Sequence, residues 1–219
     1  MKKLIDLSHT VEEGMVAYKG LPAPLICDFL TREASKAYYA EGTTFHIGTI
    51  EMAGNTGTYL DSPFHRYADG KDLSELPLES IAELEGIVFR AKADQSSIGP
   101  ALFSGADVSG KAVLIHTGWD QHWRTDQYFE GHPHLTEAAA AWLKDAGAAL
   151  VGIDSYNIDG TMTGDRPAHS ILLGADIPIV EHMCRLESLP DSRFTFSAVP
   201  VKVKKFGTFP VRAYAVIQH

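Results

Sequence analysis

Residues 111–153 constrain the fold more than any other stretch. Lys111–Thr117 contains the unbroken apolar run Ala112-Val113-Leu114-Ile115, and Ala148–Ile153 contains a second. Side chains alternate along a strand, so a short continuous apolar run marks a strand buried on both faces. Between the two runs lies Glu137–Asp145, an expected helix with an apolar side built from Ala138, Ala141 and Trp142 and extended by Ala149 after the turn. Thr136 is placed to cap its first turn and Gly147 to end it. The order strand, helix, strand predicts a βαβ unit with two parallel strands and a right-handed crossover. The polar and aromatic segment Gln121–His134 reads as a long functional or covering loop.

Further strands are expected at Leu4–Leu7, Thr43–Met52, Gly86–Ala91, Ile177–Val180 and Phe194–Val203, with a last one at Phe209–Ile217. Within Asp165–Gly174, Pro167 suits a first helical position and Gly174 a stop, which puts His169 in the first turn of a short helix. No linker interrupts the chain, and 219 residues of which 45% are apolar can bury a substantial core. The expectation is one α/β domain over residues 1–219, with a single mixed sheet and packed helices.

Charge and cysteine content narrow the function. The net charge of −9 argues against nucleic acid and anionic membranes, which need clustered cations. No apolar run approaches the roughly 18 residues of a membrane span, and only Leu4-Ile5 precede Asp6 where a signal peptide would need a long apolar stretch. Cys27 and Cys184 are far apart and form no CxxC motif, so a reducing, cytoplasmic setting is expected.

The chemistry gathers around Asn55-Thr56-Gly57-Thr58-Tyr59-Leu60-Asp61-Ser62-Pro63-Phe64-His65. Read as extended chain, it points Asn55, Gly57, Tyr59 and Asp61 to one face, and Pro63 then places His65 in a turn. A polar strand edge with Asp61 capping nearby amides accounts for the pattern equally well. Asp61, Asp154 and Glu181 all fall at expected strand ends, where sites of α/β sheets form, and His65 and His169 lie close to such ends. Carboxylates with histidines make a mixed oxygen and nitrogen set suited to Zn²⁺, Mn²⁺ or Fe²⁺. Acidic strand ends are common, however, and Asp154 reads equally as a helix cap.

The stretch from Gly57 to His65 resembles the signature His-x-Gly-Thr-His-x-Asp-x-Pro-x-His of the cyclase family, which includes kynurenine formamidases and isatin hydrolases. The resemblance spans nearly the whole chain. It takes in Asp6-Leu7-Ser8, Gly14-Met15, Thr117-Gly118-Trp119, Gly152-Ile153-Asp154, His169 with Glu181 twelve residues on, and Pro210-Val211-Arg212-Ala213. It implies a swivelling β/β/α fold, usually assembled as a dimer or tetramer, and a two-metal hydrolase centre. In that pattern Asp61 matches the bridging ligand, His169 a ligand of the second metal, Glu181 a shared ligand, and His65 the catalytic acid/base. Tyr18 and Trp119 match loop aromatics that wall the pocket.

Two positions depart from the signature. Asn55 and Tyr59 stand where it has the two histidines that hold the first metal. An amide oxygen and a phenol with an ordinary pKa near 10 make a poor Zn²⁺ site. The expectation is therefore one divalent metal, Mn²⁺ or Zn²⁺, on Asp61, His169 and Glu181, with His46 a replacement ligand on grounds of proximity alone. The activity implied is hydrolysis of a small amide, lactam or ester, with an aryl-formamide such as N-formylkynurenine as default. His65 would protonate the leaving group, Tyr59 would donate to the oxyanion, and Asn55 would line the pocket. The alternatives are a metal-independent isomerase, dehydratase or cyclase on the same scaffold, and a small-molecule binder without catalysis.

Overall fold

The two apolar runs become neighbouring parallel strands joined by a helix, as expected. The computed structural model describes residues 2–92 and 94–218. Its strands are β1 (Lys2–Asp6), β2 (Leu25–Leu30), β3 (Ile47–Glu51), β4 (Tyr59–Asp61), β5 (Leu84–Arg90), β6 (Ser97–Ile98), β7 (Ala112–His116), β8 (His134–Leu135), β9 (Leu150–Ile153), β10 (Ile179–Glu181), β11 (Phe194–Ser197), β12 (Thr208–Pro210) and β13 (Tyr214–Gln218). The helices are α1 (Arg32–Ser35), α2 (Glu137–Asp145) and α3 (Pro167–Leu173).

Nine strands form one sheet in the order β1-β13-β11-β5-β7-β9-β10-β4-β12. The central strands β5, β7, β9 and β10 run parallel and the flanking pairs antiparallel. Alternation divides the core. Leu60, Leu114, Leu150 and Val180 face one apolar cluster, while Val113, Ile115, Val151, Ile153 and Ile179 face another that contains α2 and α3. Thus the mixed α/β architecture follows from the continuous apolar runs, which need a covering layer on each face.

Several expected boundaries shift. Thr136 caps α2 by accepting the Ala139 amide, but the helix buries Ala139, Ala140 and Leu143 rather than Ala138 and Ala141. Phe209–Ile217 is two strands instead of one: β12 pairs with β4, and β13 crosses to pair with β1 and β11. The 55–61 stretch is strand only from Tyr59 onward. A separate ribbon of β2 and β3 stands outside the main sheet, and β2 has no counterpart among the sequence expectations.

Candidate active site

The sheet register itself assembles the site. On β4, Tyr59 and Asp61 are two residues apart and therefore share a face. Tyr59 lies opposite Glu181 of β10, and Asp61 lies opposite Thr208 of β12. Directly opposed residues of antiparallel strands project to the same side. Four side chains from three short strands thus converge on the face that α3 covers, where His169 is one of the buried helical residues. Past Pro63 the chain turns through a 3-10 segment, Pro63–His65, that presents His65. Gly207 packs against this turn. A Cβ there would sit 2.5 Å from the His65 amide nitrogen, so only glycine lets the strand approach so closely.

His169 Nε2 lies 3.7 Å from both Asp61 Oδ2 and Glu181 Oε1. On its other side Nδ1 donates to Asp159 Oδ2 at 2.7 Å. Asp159 also accepts the Ala168 and His169 amides, so it fixes the start of α3 and the imidazole together. Glu181 accepts the Tyr59 hydroxyl on Oε2 and the Ile158 amide on Oε1, each at 2.6 Å. Asp61 Oδ1 accepts the Thr208 hydroxyl, while Asp61 Oδ2 is buried with no hydrogen-bond partner. Thr208 has only one proton and Asp61 is an acceptor, so its hydroxyl accepts from His65 Nδ1 at 2.7 Å. That fixes the neutral tautomer of His65, with Nε2 left to accept a proton.

Burial and neighbours set the charges. Burial raises Glu181 to about 7, against the pull of His169. Burial also disfavours charged His169, but Glu181, Asp159 and Asp61 outweigh it and push the imidazole up to about 10. Asp61 pays a burial penalty too, yet His65, His169 and Thr208 hold it below the usual carboxylate range. Tyr59 is raised well above the ordinary phenol value by burial and by Glu181, so it is a neutral donor. Two imidazoles, His65 and His169, stand 3.8 and 3.7 Å from the Asp61 carboxylate, whose Oδ2 is buried without a partner, and Glu181 meets His169 from the other strand. The raised His169 shows how strongly these carboxylates favour a positive charge between them, and the oxygen-rich donor set suits a divalent metal in that place.

The cavity over this centre, about 390 Å³, is lined by Tyr18, Asn55, Tyr59, His65, His169 and Glu181 among others. Asp61 lies beneath it, wholly buried. The remaining candidates sit elsewhere. Trp119 does not line the cavity; its indole N–H donates to the Tyr128 carbonyl and braces the covering loop. His46 is exposed on the outer ribbon and pairs with Asp28 at 2.6 Å. Asp154 accepts the amides of Thr117 and Gly118 and the Thr117 hydroxyl, so it ties down that turn. Asp159 and Thr208 were not singled out by sequence reasoning. The only available signal for Asp159 was an acidic residue shortly before a helix, and Thr208 carried none.

Fold and site together define a mixed α/β protein with a carboxylate–histidine centre where the parallel strands give way to antiparallel ones. The sequence model of the cyclase family matches residues 5–160. The chain is 30% identical over 219 residues to a kynurenine formamidase of Salinibacter ruber, covering 96% of this chain and 95% of that protein. It is 27% identical to a kynurenine formamidase of Geobacillus thermodenitrificans, with 97% of each covered. Its fold superimposes on isatin hydrolase A from Labrenzia aggregata with a TM-score of 0.83 at 20% identity, covering 100% of this chain and 94% of that one. The chain belongs to the cyclase family.

Proposed function

We propose that the protein is a metal-dependent hydrolase of a small amide, lactam or ester, with an aryl-formamide as the leading substrate class. One observation carries this reading: His169 Nε2 stands 3.7 Å from two carboxylate oxygens, one of them buried and unsatisfied. Asp61, His169 and Glu181 would hold a single divalent metal. Asp61, His65 and His169 also bring ligating atoms within 4.8 Å of one another, so His65 borders the same point. A divalent cation there supplies Lewis acidity, polarising a carbonyl and easing deprotonation of water.

The protein's own groups do the rest. Asp159 holds His169 with Nε2 facing the carboxylates. His65, kept in one tautomer by Thr208, takes a proton on Nε2 and returns it to the departing nitrogen or oxygen. Burial and Glu181 keep the Tyr59 phenol protonated in the metal-free protein, which makes it a poor phenolate ligand. Its hydroxyl is donated to Glu181, so in this arrangement it positions a carboxylate, and reaching an oxyanion would require leaving Glu181. The first metal of the family pattern therefore lacks its two histidine ligands, and one metal is expected.

The metal-independent alternative is not favoured, since the relatives are named as a formamidase and a hydrolase. Manganese rather than zinc suits the one-imidazole, two-carboxylate set. A cytoplasmic location rests on two unpaired cysteines, and a homo-oligomer on the exposed apolar ribbon of β2 and β3.

The test is metal content by plasma mass spectrometry on protein purified without chelator, with formanilide hydrolysis measured alongside. The wild type should hold about one metal per chain, and Asp61→Asn should lose both metal and turnover, by about a thousandfold or more. A wild type that neither binds nor responds to added Mn²⁺ or Zn²⁺ would sink the proposal.

A further inference from the structure

The cavity over the metal centre opens beside a second one of about 710 Å³, and Arg66 and Arg166 line both. Neither is spent in an ion pair among the described residues, although the Arg66 guanidinium stands 5.4 Å over the Tyr67 ring. Arg90, Arg124 and Arg212 pair with Asp191, Glu12 and Asp6, but neither Arg66 nor Arg166 pairs with a carboxylate among the described residues. Both guanidinium groups are nevertheless fixed in place. Arg166 Nη1 donates to the carbonyls of Gly160 at 3.3 Å, Thr163 at 2.8 Å and Asp165 at 2.7 Å, and the guanidinium borders the Tyr18 hydroxyl on the cavity side. Ser170 donates its hydroxyl to the Arg166 carbonyl at 2.8 Å and accepts Arg66 Nε at 3.2 Å. One serine thus couples the two arginines, and both Nη groups of Arg66 remain available. Around the smaller cavity, Lys19, Arg66 and Arg166 face a single lining carboxylate, Glu181, whose oxygens already accept from Tyr59 and Ile158.

An unpaired, pre-oriented arginine fork beside a reaction centre is suited to a planar anion, because its parallel N–H groups match the two oxygens of a carboxylate. We propose that the substrate carries a carboxylate, that Arg66 and Arg166 grip it at the cavity mouth, and that this grip lays the scissile bond against His65. The inference rests on the hydrolase reading for the bond but not for the carboxylate. His65, Arg66 and Arg166 line one cavity of about 390 Å³, so a carboxylate held by the arginines and a carbonyl beside His65 fit within one small molecule. The protein's overall charge of −9 would repel such a substrate, which makes local cations more necessary.

Two measurements test it. The first compares hydrolysis of formanilide with that of its ring-carboxylated derivative. The wild type should prefer the carboxylate, and Arg66→Gln should lower that preference about ten- to a hundredfold, the range for a lost charge-assisted hydrogen bond. Arg66→Lys, which keeps charge but loses the fork, should restore only part of it. The second is calorimetric binding of benzoate and benzamide in the presence of chelator. Benzoate should bind more tightly, and Arg66→Gln should remove the difference. Equal binding of the two, or an unchanged preference in the variant, overturns the proposal. If neither formanilide is hydrolysed while benzoate binding still depends on Arg66, the hydrolase reading fails and the carboxylate site stands.

Discussion

Tyr59 and Asn55 occupy positions where the family signature has histidines, and Tyr59 makes a different contact there. The Tyr59 hydroxyl is wholly buried and donates to Glu181 Oε2, so the phenol satisfies a carboxylate that a metal would otherwise share. Removing it leaves a buried acceptor without a donor. Tyr59→Phe should therefore destabilise the metal-free protein by about 1–3 kcal/mol in urea denaturation, and an unchanged midpoint would contradict the role assigned here. The reverse change is also informative. Asn55→His combined with Tyr59→His restores both signature histidines beside Asp61. Metal content should rise from one to two per chain, and a variant that stays at one would show that these two histidines alone do not make the first metal site.

At the scale of elements, what could be read from the sequence is what local pattern encodes. The apolar runs of β7 and β9, the capped helix α2 and the Pro-led helix α3 each announce themselves within a few residues. Asp61, His65, His169 and Glu181 stand out at or near expected strand ends and take their roles from the resemblance, while the register of β4 with β10 and β12 brings Asp61 and Glu181 to one face. Thr208 acts through a strand far along the chain, so no local pattern could expose it, whereas Asp159 caps α3 from nine residues upstream, a weak local signal that does not announce its hold on His169. Asp154 shows the same limit from the other side: a carboxylate at a strand end looked available for chemistry but is consumed by the turn after β7. Burial raises Asp154 to about 7 despite the Thr117 and Gly118 donors. A folded-state value above the unfolded one means that its contribution to stability is fully present near pH 4 and is lost as pH rises through about 7. The drop in urea midpoint between pH 5 and pH 8 should accordingly be smaller in Asp154→Asn than in the wild type. Equal drops would show that Asp154 titrates normally.

Across the whole molecule, the central strands of the sheet bury both their faces, but the β2–β3 ribbon does not. All of β3 and all but one residue of β2 are exposed, although the ribbon carries Leu25, Ile26, Phe29, Ile47 and Ile50. Phe29 alone is 76% exposed. A two-stranded ribbon is marginally stable by itself in water, and its outer edges offer unpaired backbone groups to another strand. Composition gave no hint of this, because an apolar fraction of 45% is compatible with a core that hides it all. A second copy of the same chain would cover these side chains at every encounter, and closed pairs of identical subunits are the commonest assembly. Light scattering after gel filtration should then give a mass that is a multiple of 23.9 kDa. Phe29→Asp with Ile50→Asp places charges where the apolar contact would form. The variant should elute at the single-chain mass with its circular dichroism unchanged, since neither residue belongs to the buried clusters of the main sheet. A wild type that runs at 23.9 kDa would refute the assembly, and a variant that remains oligomeric would move the interface away from the ribbon.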